Sequence, residues 1–241
     1  MPNYAVYYVP PADSDLYQFG TQINGYDVRN REFVNQYNNA RAALPDFHPN
    51  YVARPSTFGI HATIFSGPKC RAGDIPSMVY DIEAILNSFA SFTDFRLSAH
   101  EEFVTFWGLN QQIVVLRYKA NRALSILHAL LVAKLSDYAI DSHAHRSLAQ
   151  NAERFPDNEA HRLQHFHYSH IFDGFNPHVT LLHPYTGNQY NELGQVLGNM
   201  FADTHAITLE NICLMIKDDG AKQWRIHKEF VRSDYPQPYE G

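Results

Sequence analysis

A short pattern that occurs twice constrains this 241-residue chain more than any other feature. Residues 58–65 read FGIHATIF and residues 175–182 read FNPHVTLL, each an apolar run carrying His-x-Thr with a Phe three residues ahead of the His. Side chains alternate between faces along a strand. In β conformation His61 and Thr63 therefore point one way and Ala62 and Ile64 the other, while His178 and Thr180 oppose Val179 and Leu181 in the same manner. An imidazole gives or takes a proton near neutral pH, and a hydroxyl donates a hydrogen bond to an anionic oxygen. Two such strands facing one pocket suit acid–base chemistry on a phosphate. His61, Thr63, His178 and Thr180 are the candidate catalytic residues. One copy alone would carry little weight in a chain with 14 histidines, so the sequence following each copy decides the matter.

After the first motif, Gly67-Pro68 reads as a turn, and apolar residues at Ile75, Met78, Val79, Ile82, Ile85, Leu86 and Phe89 predict an amphipathic helix over about 74–89. Three strand-like runs follow, 95–99, 103–107 and 112–118. After the second motif come Pro184 and Gly187, a helix over about 188–201 and strand-like runs at 206–209, 212–217 and 224–231. This repeated order predicts two similar lobes related by an approximate twofold axis. Ahead of the first motif the pattern predicts a strand over 4–9, helices over 14–24 and 31–44, and a proline-broken loop over 45–57. A helix over 121–135 lies between the copies, followed by an irregular stretch, 136–174, that could cover the cleft as a lid.

A net charge of −6 excludes a protein that coats a long nucleic-acid tract, but not one that takes a small phosphorylated ligand or an RNA end. Cys70 and Cys213 are the only cysteines and lack C-x-x-C spacing, which fits a reducing cytoplasm. The opening MPNYAVYYVPP has neither a basic nor an apolar targeting segment, and no membrane association is expected.

Two His-x-Thr strands, each followed by a helix and strands, in a chain of this length resemble the 2H phosphoesterase superfamily. Its members include RNA 2′,3′-cyclic phosphodiesterases and 2′–5′ RNA ligase-like proteins. The opening YAVYYVPPADSDLYQFG and the context FGIHATI are also similar to a bacterial branch associated with phosphonate metabolism genes, although Phe65 stands where that branch tends to carry a Lys. The resemblance implies a bilobal α+β fold in which two antiparallel sheets form a V-shaped cleft, with a metal-independent reaction between the histidines. It assigns acid–base positions to His61 and His178 and phosphate contacts to Thr63 and Thr180. The chain then forms one bilobal domain, residues 1–241, with one lobe at about 4–118, a connecting helical insertion at 119–174 and a second lobe at 175–233.

Hydrolysis of a cyclic or linear phosphodiester needs a base for the attacking oxygen, an acid for the leaving oxygen and donors for the nonbridging oxygens. Two histidines and two threonines meet that need with no metal or cofactor, in a monomer acting on a small phosphodiester, a nucleotide or an RNA end. Tyr185 and Lys69 are the candidate substrate-binding residues because each follows a motif strand; Trp107 and Trp224 read as core packing. Two alternatives stand beside this reading. One is a metal-dependent hydrolase using the histidine-rich stretch 143–170, where His161 and His165 have i, i+4 spacing and His143-x-His145 could chelate. The other is a noncatalytic protein that binds a nucleotide or an RNA end.

Overall fold

The structure is a computed structural model and describes residues 1–34, 38–89, 95–108, 110–140, 153 and 156–231. The two motif strands, β4 (Ala62–Lys69) and β7 (His178–Leu182), lie side by side and antiparallel, paired at Ala62 and Val179. Beyond β4 run β1 (Asn3–Tyr8), β9 (Asn211–Lys217) and β10 (Arg225–Val231); beyond β7 run β6 (Ile113–Ala120), β5 (Arg96–Trp107) and β8 (Ala206–Thr208). The result is one curled antiparallel sheet of eight strands in the order β10-β9-β1-β4-β7-β6-β5-β8, beside a two-stranded ribbon of β2 (Tyr26–Asp27) and β3 (Glu32–Phe33). The class is α+β, and the two sheets implied by the resemblance are the two four-stranded halves of this one.

Each half draws on both sequence copies. Strands β1 and β4 are joined by β9 and β10 from beyond the second motif, while β7 and β8 are joined by β5 and β6 from beyond the first. The halves therefore do not coincide with the contiguous segments 4–118 and 175–233. The crossing follows from helix length. Strands stand ~4.8 Å apart, which puts β5, three places from β4, roughly 14 Å away. Helix α3 (Ile75–Leu86), at ~1.5 Å per residue, spans roughly 18 Å and carries the chain across.

One face of the sheet builds the main core. Tyr4, Val6 and Tyr8 of β1, Ala62 and Ile64 of β4, Leu116 of β6, and Val179 and Leu181 of β7 pack in one buried cluster with residues of the helices. Those helices start where the sequence provides caps: Ser14 accepts from Tyr17 N ahead of α1 (Asp15–Asn24), and Asn121 accepts from Leu124 N ahead of α4 (Arg122–Leu135). Further helices are α2 (Asn39–Ala42), α5 (Asp157–Phe166) and α6 (Tyr190–Met200). A second, smaller cluster of Ala5, Tyr7, Val9, Cys213, Met215 and Trp224 packs with Tyr26 and Val28. Alternation along β1 places it on the opposite face, where it leaves the surface over β4 and β7 uncovered. Among the described residues, no helix is long and apolar enough to cross a membrane.

Three local expectations are corrected. The helix expected over 31–44 is reduced to α2, because Asp27 accepts from the backbone N–H groups of Arg29 and Asn30 and turns the chain into the β2–β3 ribbon. Gly67-Pro68 lies inside β4 and not in a turn: Gly67 passes under the Tyr4 ring, where a Cβ would meet ring carbon at 2.2 Å. The runs 95–99 and 103–107 form one strand, β5, with the extra residues absorbed by a register shift between Ala99 and Val104.

Candidate active site

Extending the Ala62–Val179 pairing by one residue in each direction sets His61 across from Thr180 and Thr63 across from His178. All four lie on the face away from the main core, and each is half-buried. The neighbouring strands complete a row on that face: Tyr7 of β1 pairs with Thr63, Val115 of β6 with Thr180, and Arg117 of β6 with His178. Ala62, Ile64, Val179 and Leu181 are buried on the other side, as period-2 alternation requires.

The two imidazoles are held in the same way. His61 Nδ1 lies 2.9 Å from the carbonyl oxygen of Gly59, and His178 Nδ1 lies 2.8 Å from that of Asn176. A carbonyl can only accept, so in each ring the proton sits on Nδ1 and Nε2 is left as the working atom. Tyr7 stacks on His61 with ring centroids 3.9 Å apart, and Trp107 meets His178 edge to face at 4.7 Å. Burial pushes the His61 pKa down to about 4, with the nearby His178 adding to the fall and the Gly59 carbonyl opposing it. Burial also lowers the His178 pKa; the Asn176 carbonyl opposes this, and His170 and Arg117 add to it. Burial in the cleft thus favours neutral imidazoles.

A cavity of about 280 Å³ opens beside this row, lined by Thr63, His178, Trp107, Tyr168, His170 and Phe175 among others. A larger cavity of about 560 Å³, lined by residues 38–49, contains none of the four motif residues.

The candidate substrate contacts do not join this group. Tyr185 is buried in the main core, where its hydroxyl accepts from Gln189 N, because β7 ends at Leu182 and the chain then turns the ring inward. Lys69 lies six residues along β4 from Thr63, roughly 20 Å at ~3.3 Å per residue, and pairs with Asp219 at 3.5 Å. Trp224 packs in the smaller cluster as expected, but Trp107 lines the cavity. Sequence reasoning missed Tyr7, Tyr168, His170 and Arg117 as neighbours of the motif residues; of these, Arg117 carried a signal, a cation directly after the apolar run 113–116. His143 and His145 lie outside the described residues. His161 and His165 stand on α5 with ring centroids 4.2 Å apart, and among the described residues no three His, Cys, Asp or Glu side chains group to hold a metal ion.

Comparison with known proteins adds a family. A family model described as "Protein of unknown function (DUF1045)" matches residues 79–225, more than half of the chain. The chain belongs to this family. The stretch shared with the DUF1045 family contains the second His-x-Thr and begins after the first. Among solved structures, one described as a phosphoesterase is 13% identical, covers 96% of this chain and 98% of its own, and superposes with a TM-score of 0.50, a likeness of fold. LigT from E. coli, solved in complex with 3′-AMP, is 14% identical with a TM-score of 0.45 over 96% of this chain and 98% of its own. No curated protein matches.

Proposed function

We propose that this DUF1045 protein is a metal-independent phosphoesterase of the 2H type, hydrolysing a cyclic or linear phosphodiester by acid–base catalysis between His61 and His178. The observation that carries the reading is the pairing of two motif strands that set His61 against Thr180 and Thr63 against His178, with each imidazole fixed through Nδ1 to a carbonyl two residues earlier. The fold it shares with a phosphoesterase supports the reading.

In this mechanism one Nε2 takes a proton from the attacking water as its oxygen bonds to phosphorus. The other, entering turnover protonated, gives its proton to the leaving oxygen as the P–O bond breaks. Atoms and charge balance: the imidazoles exchange protonation states, and solvent resets them. Because burial favours neutral rings, the anionic substrate must draw in the proton that the acid needs by raising its pKa. Thr63 and Thr180 donate to the nonbridging oxygens as charge builds there. A 2′,3′-cyclic nucleotide or an RNA end is the substrate class.

The test is a panel of 2′,3′-cyclic nucleotides and linear phosphodiesters. His61→Ala and His178→Ala should each lower turnover by roughly 10² to 10⁴, and the double variant by much less than the product. Folded single variants that keep wild-type turnover would refute the mechanism.

A further inference from the structure

The segment from His167 to Asn176 links α5 to β7, packs against the main core through Ile171 and lines the cavity through Tyr168, His170 and Phe175, and two buried polar side chains hold it there. His128 of α4 is 1% exposed; its Nδ1 donates to the carbonyl of Ile64 at 2.6 Å, and its Nε2 accepts from Phe172 N at 3.0 Å. Its ring lies flat on Phe175, with centroids 4.0 Å apart and planes 3° from parallel. Arg162 of α5 is 8% exposed, pairs with Asp173 and donates to the carbonyl of Ser169 at 3.4 Å. Ile171 is fully buried. His170 is exposed, yet Ser169 is bonded on one side of it and Ile171 and Phe172 are anchored on the other, so its backbone is set at the mouth of the cavity. A histidine on an ordinary surface loop would have no such framing.

The charge inventory of the cavity gives this placement a purpose. An entering phosphodiester is an anion, while Thr63 and Thr180 are neutral and the His61 and His178 rings favour neutrality. Arg117 donates to Asn176 Oδ1 at 3.3 Å and lies 3.6 Å from Glu102, so its charge is already shared. Among the described residues lining the cavity, His170 and His178 are the two that can take up a positive charge. The groups facing His178 are His61 from the start of β4, Arg117 from β6, Trp107 from β5 and His170 from the crossing segment.

We propose that His170 is a third imidazole of the phosphate site, binding the substrate anion at the cavity mouth beside His178. The proposal rests on the phosphoesterase reading for the identity of the anion. A positive charge on His170 opposes one on His178, in the direction that lowers the His178 pKa. Hydrolysis turns a diester with one charge into a monoester that carries nearly two at neutral pH, so a charged His170 favours the product side as the reaction proceeds.

Three proteins test this: wild type, His170→Asn and His170→Lys, each read by inorganic phosphate binding, by the His178 imidazole NMR titration without ligand, and by steady-state kinetics on 2′,3′-cyclic AMP. His170→Asn should weaken phosphate binding about tenfold and raise the His178 pKa, with the kinetic loss in KM more than in kcat. His170→Lys should restore phosphate affinity and keep the His178 pKa low, a rescue that a merely structural role would not give. Unchanged phosphate affinity in His170→Asn, or an unmoved His178 titration, overturns the proposal. If wild type hydrolyses no phosphodiester, the function reading fails while the phosphate and NMR results still decide the role of His170.

Discussion

Lowering the pH should destabilise the protein through His61, and the size of the effect can be worked from the structure. Its pKa is about 4 in the folded protein against ~6.5 in the unfolded chain. Between these values the unfolded state binds more protons, so the stability this neutral ring brings is fully present above pH ~6.5 and is lost as the pH falls toward 4. At pH 5 the loss is about 2 kcal/mol, from ~1.36 kcal/mol per pKa unit. This is an upper value, because part of the ring meets solvent in the cleft. The assay is urea unfolding at pH 7.5 and pH 5, followed by the fluorescence of Trp107 and Trp224, on wild type and His61→Asn. His128, His183 and His227 also have lowered pKa values and contribute the same slope to both proteins, so they cancel in the difference; His178, also lowered and acting on His61, is followed by its NMR titration in each protein and its share subtracted. Wild type should lose up to about 2 kcal/mol more than the variant between the two pH values. Equal losses would mean that His61 is not held neutral, and the base role would lose its physical ground.

Thr63→Val and Thr180→Val keep the β-branched shape and remove a donor, so each should lower kcat by roughly 10- to 10³-fold while leaving the melting temperature within a few degrees, checked by kinetics and thermal melts. Gly67→Ala would drive a methyl into the buried Tyr4 ring, whose hydroxyl donates to the Leu135 carbonyl at 2.6 Å. It should cost about 1–3 kcal/mol, or roughly 2–12 °C in Tm by calorimetry, without changing turnover per folded molecule. Phosphodiesterase activity should survive EDTA, since each His-x-Thr gives one good ligand for a soft cation and none of the acidic groups a hard one needs; loss on chelation with recovery on one divalent ion would point to another site.

The face carrying His61, Thr63, His178 and Thr180 was legible because strand alternation turns a three-residue spacing directly into a side of the sheet. Helices α3, α4 and α6 were legible through apolar periodicity, although α3 and α6 begin without a side-chain cap, while α1 and α4 begin at the capping Ser14 and Asn121. The crossing of strands between the halves was not, since β1 meets β9 across about 200 residues and pairing at that range leaves no local pattern. Tyr7, Trp107 and Tyr168 resemble any core aromatic until their strands are placed. Tyr185 was misread for the opposite reason: closeness to a motif in sequence says nothing about a ring that follows the end of a strand. The turn at Asp27 hid inside a helix-like composition because one carboxylate, accepting two backbone N–H groups, outweighed the propensity of the residues after it.

Strand β1 precedes the other strands of the sheet in the chain and finds its outer neighbour, β9, only when residues 211–217 have followed. Its residues Tyr4 to Tyr8 are all buried in the finished fold. β4 can cover one edge of this strand early, but at ~5–20 residues per second the other edge waits roughly 10–40 s for β9. During synthesis this half of the sheet therefore cannot close, and the nascent chain offers a chaperone a defined hydrophobic segment with one open edge. A chain cut before Asn211 would keep that segment's edge open after release, and should partition to aggregates even with both His-x-Thr strands intact.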